Sequence, residues 1–176
     1  NITVDETNGL ALNLVNAGTA DVSITLTAGA LTDNNNGANN VVANDLAITA
    51  PGGINGIETS VDTLAATTTG TDLSINEASG LALNAVTTGG AGDVTIILTA
   101  GAITDNNAGV TNITANDVSL RAPGGIDTDL AADTLAAATT NSDITIDETS
   151  GLGLNLVNAG TGDVILTLAA GALTDS

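Results

Sequence analysis

The chain contains no histidine, cysteine, methionine, phenylalanine, tyrosine or tryptophan, and its only cationic side chain is Arg121. Each absence removes a class of chemistry. Without His or Cys there is no imidazole base, thiol nucleophile, tetrahedral zinc site or disulfide framework. Without Lys there is neither a Schiff base nor a phosphate-gripping P-loop. Twenty Asp and Glu residues against that one cation leave a net charge of −19 over 176 residues. This charge removes the counterion release on which nucleic-acid binding depends, and no ring is present on which a base could stack. Nucleic acid is therefore excluded as a partner. No apolar run approaches the length of a membrane helix, so no transmembrane segment is expected. The chain opens at Asn1 with neither Met nor signal sequence, and it reads as a window of a longer protein.

What is present is a folding composition. Charged residues make up only 12% of the chain and hydrophobic residues 43%, too apolar for an acidic disordered tail. The core must be built from Val, Ile, Leu and Ala alone. Lacking the large burial that aromatics supply, these residues suit a thin, extended core better than a compact one.

Self-similarity dominates the sequence. Gly9-Leu10-Ala11-Leu12-Asn13 returns as Gly80–Asn84 and again as Gly151-Leu152-Gly153-Leu154-Asn155, a period of 71 residues. The blocks are then 1–71, 72–142 and a partial 143–176, forming one continuous solenoid. Inside each lies a finer pattern of Asp, apolar, any, apolar, then Gly eight positions after the Asp. It starts at Asp21, Asp45, Asp72, Asp93, Asp117, Asp143 and Asp163, with Asn1 opening a further copy. The matching glycines are Gly9, Gly29, Gly53, Gly80, Gly101, Gly125, Gly151 and Gly171. Leading segments such as Val22, Ile24 and Leu26 against Ser23, Thr25 and Thr27 alternate with period two, as a strand with one buried face does. No helical stripe of useful length appears, and Gly-Thr, Asn-Gly and Pro-Gly-Gly supply turn chemistry.

Short strands repeating without helices predict an all-β chain, a parallel β-helix or β-solenoid, right-handed by the general preference for parallel crossovers. The spacing predicts about eight rungs of 20–27 residues, three to each 71-residue superrepeat. Stacked rungs lie about 4.8 Å apart. The recurring Gly is expected as a corner column, Val22/Leu46/Leu73/Val94 and Ile24/Ile48/Ile75/Ile96 as columns filling the lumen, and the Asp residues as one continuous outer stack.

The Ala-Gly-Ala-Leu-Thr-Asp-Asn-Asn segment starting at Ala28, the Ala-Asn-Asp-Leu-Ala-Ile-Thr-Ala-Pro-Gly-Gly-Ile segment starting at Ala43, and Thr63-Leu64-Ala65-Ala66-Thr67-Thr68-Thr69-Gly70 carry a resemblance. So does the lack of Cys and Lys. Over its whole length the chain resembles the repeat region of giant bacterial surface proteins of the filamentous-haemagglutinin type, the β-solenoid adhesins. The resemblance implies an extracellular or cell-surface location, export in an unfolded state, and a part in adhesion, biofilm or filament formation.

Stacked carboxylates at about 4.8 Å repel by ~0.9 kcal/mol in water and by several-fold more near a protein surface, so something must relieve the Asp column. One relief is Ca²⁺ bridging by hard oxygen ligands. The other is that each Asp follows a turn, accepts backbone N–H bonds and points into water. Asp105, Asp127, Asp129 and Asp133 form the densest acidic group and are the first choice for a bound Ca²⁺. A further column, four residues after each Gly, holds Asn13, Asp33, Ile57, Asn84, Asp105, Asp129, Asn155 and Asp175, where stacked amides would bond one another. The run Asp33-Asn34-Asn35-Asn36-Gly37 fails the EF-hand spacing, since Gly37 stands where a ligand is required.

No enzyme is expected: paired carboxylates are plentiful, but sugar chemistry normally also uses aromatic platforms and cations. Arg121 is expected to pair locally with a carboxylate, and the sequons at Asn1 and Asn112 are expected as chance matches. Ice binding would need a regular outward Thr face. The outward positions include Ser23, Thr25, Thr49, Thr95, Thr145 and Thr167, interrupted by Ala47, Asn76, Ile97, Arg121, Asp147 and Ile165. The reading from sequence is thus a non-enzymatic shaft of a secreted or cell-surface filament or adhesin, its ends covered by further repeats or by identical neighbours. A calcium-dependent glycan surface or an ice-binding face is the alternative.

Overall fold

The computed structural model describes residues 1–176 and contains no helix. The chain winds through nine turns. The first holds β1 (Ile2–Glu6), β2 (Leu10–Leu12) and β3 (Val15–Asn16), and the second β4 (Val22–Leu26), β5 (Leu31–Asp33) and β6 (Val41–Val42). The third holds β7 (Asp45–Thr49) and β8 (Ile54–Ser60), the fourth β9 (Thr63–Thr67) and β10 (Leu73–Glu77), and the fifth β11 (Leu81–Thr87) and β12 (Val94–Leu98). The sixth holds β13 (Ile103–Asp105), β14 (Ile113–Thr114) and β15 (Asp117–Arg121), and the seventh β16 (Ile126–Ala131) and β17 (Thr134–Ala138). The eighth holds β18 (Ile144–Glu148) and β19 (Leu152–Asn158), and the ninth β20 (Val164–Leu168) and β21 (Leu173–Asp175).

Every turn gives one strand segment to each of two parallel sheets. Sheet A runs β1-β4-β7-β9-β11-β13-β16-β18-β20 with β14 alongside, and sheet B runs β2-β5-β8-β10-β12-β15-β17-β19-β21 with β3 and β6 alongside. The fold is the parallel β-helix that the period-two pattern predicts. Nine turns at about 4.8 Å make a rod roughly 40 Å long.

Alternate residues of each strand face inward. β4 shows this plainly, with Val22, Ile24 and Leu26 buried and Ser23 and Thr25 outside. Inward side chains from both sheets merge into one cluster of 38 buried hydrophobic residues. Aliphatic side chains suffice because the inward residues of the two sheets meet directly in that single cluster.

The internal count differs from the sequence reading. The 71-residue block spans seven strand positions, three and a half turns rather than three. The segment from Asp45 to Asp72 contains β7, β8 and β9, and that from Asp117 to Asp143 contains β15, β16 and β17. Each of these long units hides an extra half turn. An odd number of strands puts each repeat on the opposite sheet: β4 and β7 lie in sheet A, while their equivalents β12 and β15 lie in sheet B. The expected lumen columns are divided accordingly. Val22 stacks on Leu46 and Leu64, whereas Leu73 stacks between Ile54 and Val94.

The glycine corner is shifted by one residue in two places. Gly29 lies between Gly9 and Gly52, Gly101 between Gly80 and Gly124, and Gly171 rests on Gly151. Gly53 and Gly125 stand instead beside the backbone of Asp72 and Asp143. A Cβ on Gly101 would lie 2.5 Å from the Gly80 nitrogen, and φ there is +77°. Close approach and a left-handed backbone thus demand glycine together.

Gly101→Ala should therefore destabilise the fold by about 2–5 kcal/mol, combining left-handed strain with a backbone clash. Gly37 has φ +82° but open space around it, so Gly37→Ala should cost only about 1–2 kcal/mol. Thermal unfolding followed by circular dichroism would compare the two. Equal losses would refute the close-packed glycine column.

Candidate functional site

The Asp residues form three short stacks. Asn1, Asp21, Asp45 and Thr63 share one column at the start of the sheet A strands, and Asp72, Asp93, Asp117 and Thr134 share one on sheet B. Asp143 and Asp163 form the third. Hydrogen bonding between turns satisfies these carboxylates, apart from that of Asp163 in the last turn. Asp72 Oδ1 accepts from Asp93 N at 3.0 Å, Asp93 Oδ1 from Asp117 N at 3.2 Å, and Asp143 Oδ1 from Asp163 N at 2.8 Å. Each sheet's stack opens or closes on a neutral donor. The Asn1 amide donates to Asp21 Oδ2 at 3.0 Å, Thr63 Oγ1 to Asp45 Oδ1 at 2.9 Å, and Thr134 Oγ1 to Asp117 Oδ1 at 2.7 Å.

Two eight-residue loops leave the coil, one per superrepeat. The first runs from Asp33 to Asn40 and the second from Asp105 to Asn112, interrupting sheet B and sheet A respectively. Each is bent by a pair of left-handed residues, Asn36 and Gly37 or Ala108 and Gly109. Each closes on a buried Asn. The Asn112 amide donates to Leu83 O at 3.0 Å, Asp105 Oδ1 at 2.8 Å and Asn107 Oδ1 at 3.0 Å, while its Oδ1 accepts from Asp129 N at 2.8 Å. Asn40 repeats this with Leu12 O at 3.0 Å, Asp33 Oδ1 at 2.9 Å and Glu58 N at 2.9 Å. Asn112 is only 1% exposed, so the sequon there is closed to a glycan. The amide ladder also falls one residue later than expected: Asn34 donates to Asn13 Oδ1 at 3.2 Å, and Asn106 to Asn84 Oδ1 at 3.0 Å.

The loops sort the carboxylates electrostatically. In Asp105 the backbone N–H of Asn107 and then the Asn112 amide hold the carboxyl below the usual carboxylate range. Asp33 is lowered by the Asn40 amide and then by Asn35 N–H. Asp129 is pushed up, first by burial and then by repulsion from Asp105, Asp147 and Asp127. The acidic group is thus Asp105, Asp127, Asp129 and Asp147. Asp133 does not join it, because it lies in the turn from β16 to β17 and donates its N–H to Asn116 O. Asp147 takes its place because β18 pairs with β16 and sets Asp129 beside Asp147. No three of the chain's carboxylates converge in a metal-holding arrangement. A cleft of about 150 Å³ separates Gly109 and Thr111 of the loop from Asp129 and Asp147.

Two features escape the sequence pattern. One is a pair of buried carboxylates at equivalent corners. Glu77 Oε2 accepts from Thr59 Oγ1 at 2.7 Å and Val61 N at 3.0 Å of the turn below, and its Oε1 from Ser79 N and Oγ, both at 2.9 Å. Glu148 does the same with Ala132 N at 3.1 Å and Ser150 N at 2.9 Å. The shared spacing from Glu to the corner Gly, in Glu77-Ala78-Ser79-Gly80 and Glu148-Thr149-Ser150-Gly151, is the signal that could have revealed them.

The other is a threonine ladder. On the outer face of sheet A, Thr25, Thr49, Thr67, Thr87 and Thr114 stack in register over five consecutive turns. One column of the face that is irregular in sequence order becomes regular once Ile97 and Arg121 are assigned to sheet B, while Ala47, Asp147 and Ile165 remain at outward positions of sheet A. Arg121 itself sits between Ile97 and Ala138 in its column, so its ladder neighbours are not the carboxylates expected for it.

Asp129→Asn should raise the melting temperature at neutral pH. A carboxyl whose folded pKa is raised costs stability above that pKa and none below its unfolded value, so the gain should vanish as pH falls through this interval. Melting curves of both proteins at neutral pH and near pH 3 would test it; a gain independent of pH would refute the crowding. No family model, curated protein or solved structure matches this chain.

Proposed function

We propose that the chain is a non-enzymatic structural repeat of a secreted or cell-surface filament or adhesin, a shaft whose work is length and stiffness. The observation that supports this most is an unbroken stack of nine turns around a single aliphatic core. Regularity resides chiefly in the interior, and apart from the threonine column and the short Asp stacks the outer columns change identity along the rod. The outer edges of β1 and β20 belong to the terminal strands of sheet A, and a further turn of the same kind, in the chain or in an identical neighbour, would pair with them. The strongly acidic exterior would keep such a hydrophobic-cored rod soluble. Location outside the cell and adhesion to a surface or glycan receptor follow from the resemblance to filamentous-haemagglutinin-type repeats.

Electron cryomicroscopy of the assembled protein should give a layer line near ~4.8 Å and a superrepeat near ~17 Å, three and a half turns high, on alternating faces. Compact particles without the ~4.8 Å spacing would refute the shaft.

A second reading rests on the threonine ladder. Five in-register threonines flank a column of small residues that includes Ser23, Ala47 and Ala65, beside a groove of about 220 Å³. This rigid array of hydroxyls and methyls, bordered by the carboxylates of Asp5, Asp21 and Asp45, would order water and suits an ice surface. Wild-type protein would then inhibit ice recrystallisation and Thr67→Lys would abolish this at unchanged melting temperature. Equal inhibition by both proteins, or none by either, would exclude it.

A further inference from the structure

The one cation of the chain and its crowded acidic group lie on opposite faces of the rod. Arg121 is exposed on β15, on the outer face of sheet B. Around it are Ile97, Ser119, Ala136, Ala138 and Leu156, which line a shallow groove of about 180 Å³. None of these is acidic, although the chain carries 20 Asp and Glu. Leu156 is 57% exposed there, a large apolar side chain left uncovered. On sheet A, one and two turns further along, Asp129 and Asp147 form one wall of the cleft under the 105–112 loop. Thr167 and Ile165 follow on β20, with Ile165 55% exposed.

We infer that these faces are the two halves of one lateral contact, in which Arg121 of one rod enters the Asp129–Asp147 cleft of a second copy. The occupant is identified by charge. Any partner for the Arg121 face must offer carboxylates beside exposed aliphatic groups, and the chain's own opposite face offers both. The acidic cleft gains in turn, since Asp129 is crowded by Asp105, Asp127 and Asp147 with no cation beside it in its own chain. An Arg guanidinium can engage two carboxylate oxygens at once, a match that an ammonium group lacks. Because donor and acceptor faces differ and point in opposite directions, the contact is heterologous and does not close. It propagates into a ribbon of rods side by side. Repulsion between chains of net charge −19 opposes it at low ionic strength, and the contact emerges where the Debye length falls to about 8 Å, near 0.15 M salt.

This contact widens the assembly, whereas stacking along the axis lengthens it, so the two are measured separately. The test uses the full chain at about 0.15 M salt, with sedimentation velocity and negative-stain microscopy of width. Arg121→Glu and Asp147→Arg each change an exposed side chain, and circular dichroism would verify their folding. Specific pairing predicts that each weakens lateral association by about tenfold or more and that the double variant restores it. Nonspecific electrostatics predicts opposite effects, because the first makes the rod more negative and the second less. Stronger association of Asp147→Arg, failure of the double variant to recover, or wild-type rods of single width at every concentration would each overturn the pairing.

Discussion

The parallel ladder between successive turns is the constraint on which the rest of the molecule depends. A strand in this coil has no partner within its own turn, so its N–H and C=O groups must be satisfied by the turns above and below. The chain makes 107 backbone hydrogen bonds, of which 60 lie within the strands, and most of the others join corners of neighbouring turns. Corner geometry is therefore not free to vary. Gly52 N donates to Gly29 O at 2.8 Å and Gly124 N to Gly101 O at 2.6 Å, and a Cβ on Gly124 would lie 2.7 Å from the facing carbonyl carbon and one on Gly52 closer still. At two of these glycine corners a buried carboxylate also takes up backbone N–H groups, Glu77 ahead of Gly80 and Glu148 ahead of Gly151. Their burial is tolerable because each carboxylate accepts several donors.

That constraint also explains the loops. A segment that leaves the ladder must supply the missing partners itself, and Asn is suited to this because its amide offers donors and an acceptor together. Asn40 and Asn112 stand where the coil resumes, each donating to a carbonyl of the turn below and accepting an N–H from the turn above. They carry the ladder across the gap. The Asp that opens each loop, Asp33 or Asp105, caps the first loop amides and binds the same Asn.

The fold class was legible in the sequence because alternation and a fixed repeat both report directly on stacking. Strand positions such as Val22–Leu26 and Val94–Leu98 follow from period two alone. The number of turns was not legible. The Asp that begins a strand marks most turns, but at β9 and β17 a Thr occupies that position, so two half turns carry no mark. Thr63 and Thr134 bond the Asp of the preceding turn in the same column, a role that only the register reveals. The acidic group was legible as a density of Asp in sequence, but its membership was not. Asp133 is close along the chain but lies in the turn beyond β16, while Asp147 is distant in sequence and directly beside Asp129. The threonine ladder was hidden for the same reason, since its members alternate with residues of the other sheet.

The half-turn offset bears on how so acidic a chain can stack at all. In a three-turn repeat every Asp would stand over the last, and the rod would carry an unbroken row of carboxylates about 4.8 Å apart. With seven strands per repeat, the equivalent Asp is delivered to the opposite sheet, about 17 Å further along. Equivalent carboxylates are thus further apart than the Debye length of about 8 Å at physiological salt, while neighbouring stacks, such as those ending at Asp45 and beginning at Asp72, stand on opposite sheets. No run on either sheet exceeds three carboxylates. Asp21 and Asp45 end at Thr63, and Asp72, Asp93 and Asp117 end at Thr134. Within a run, each backbone N–H donated to the Asp of the turn before offsets part of the remaining repulsion. An odd strand count therefore lets the same acidic sequence repeat indefinitely without accumulating a line of charge, which an even count would not.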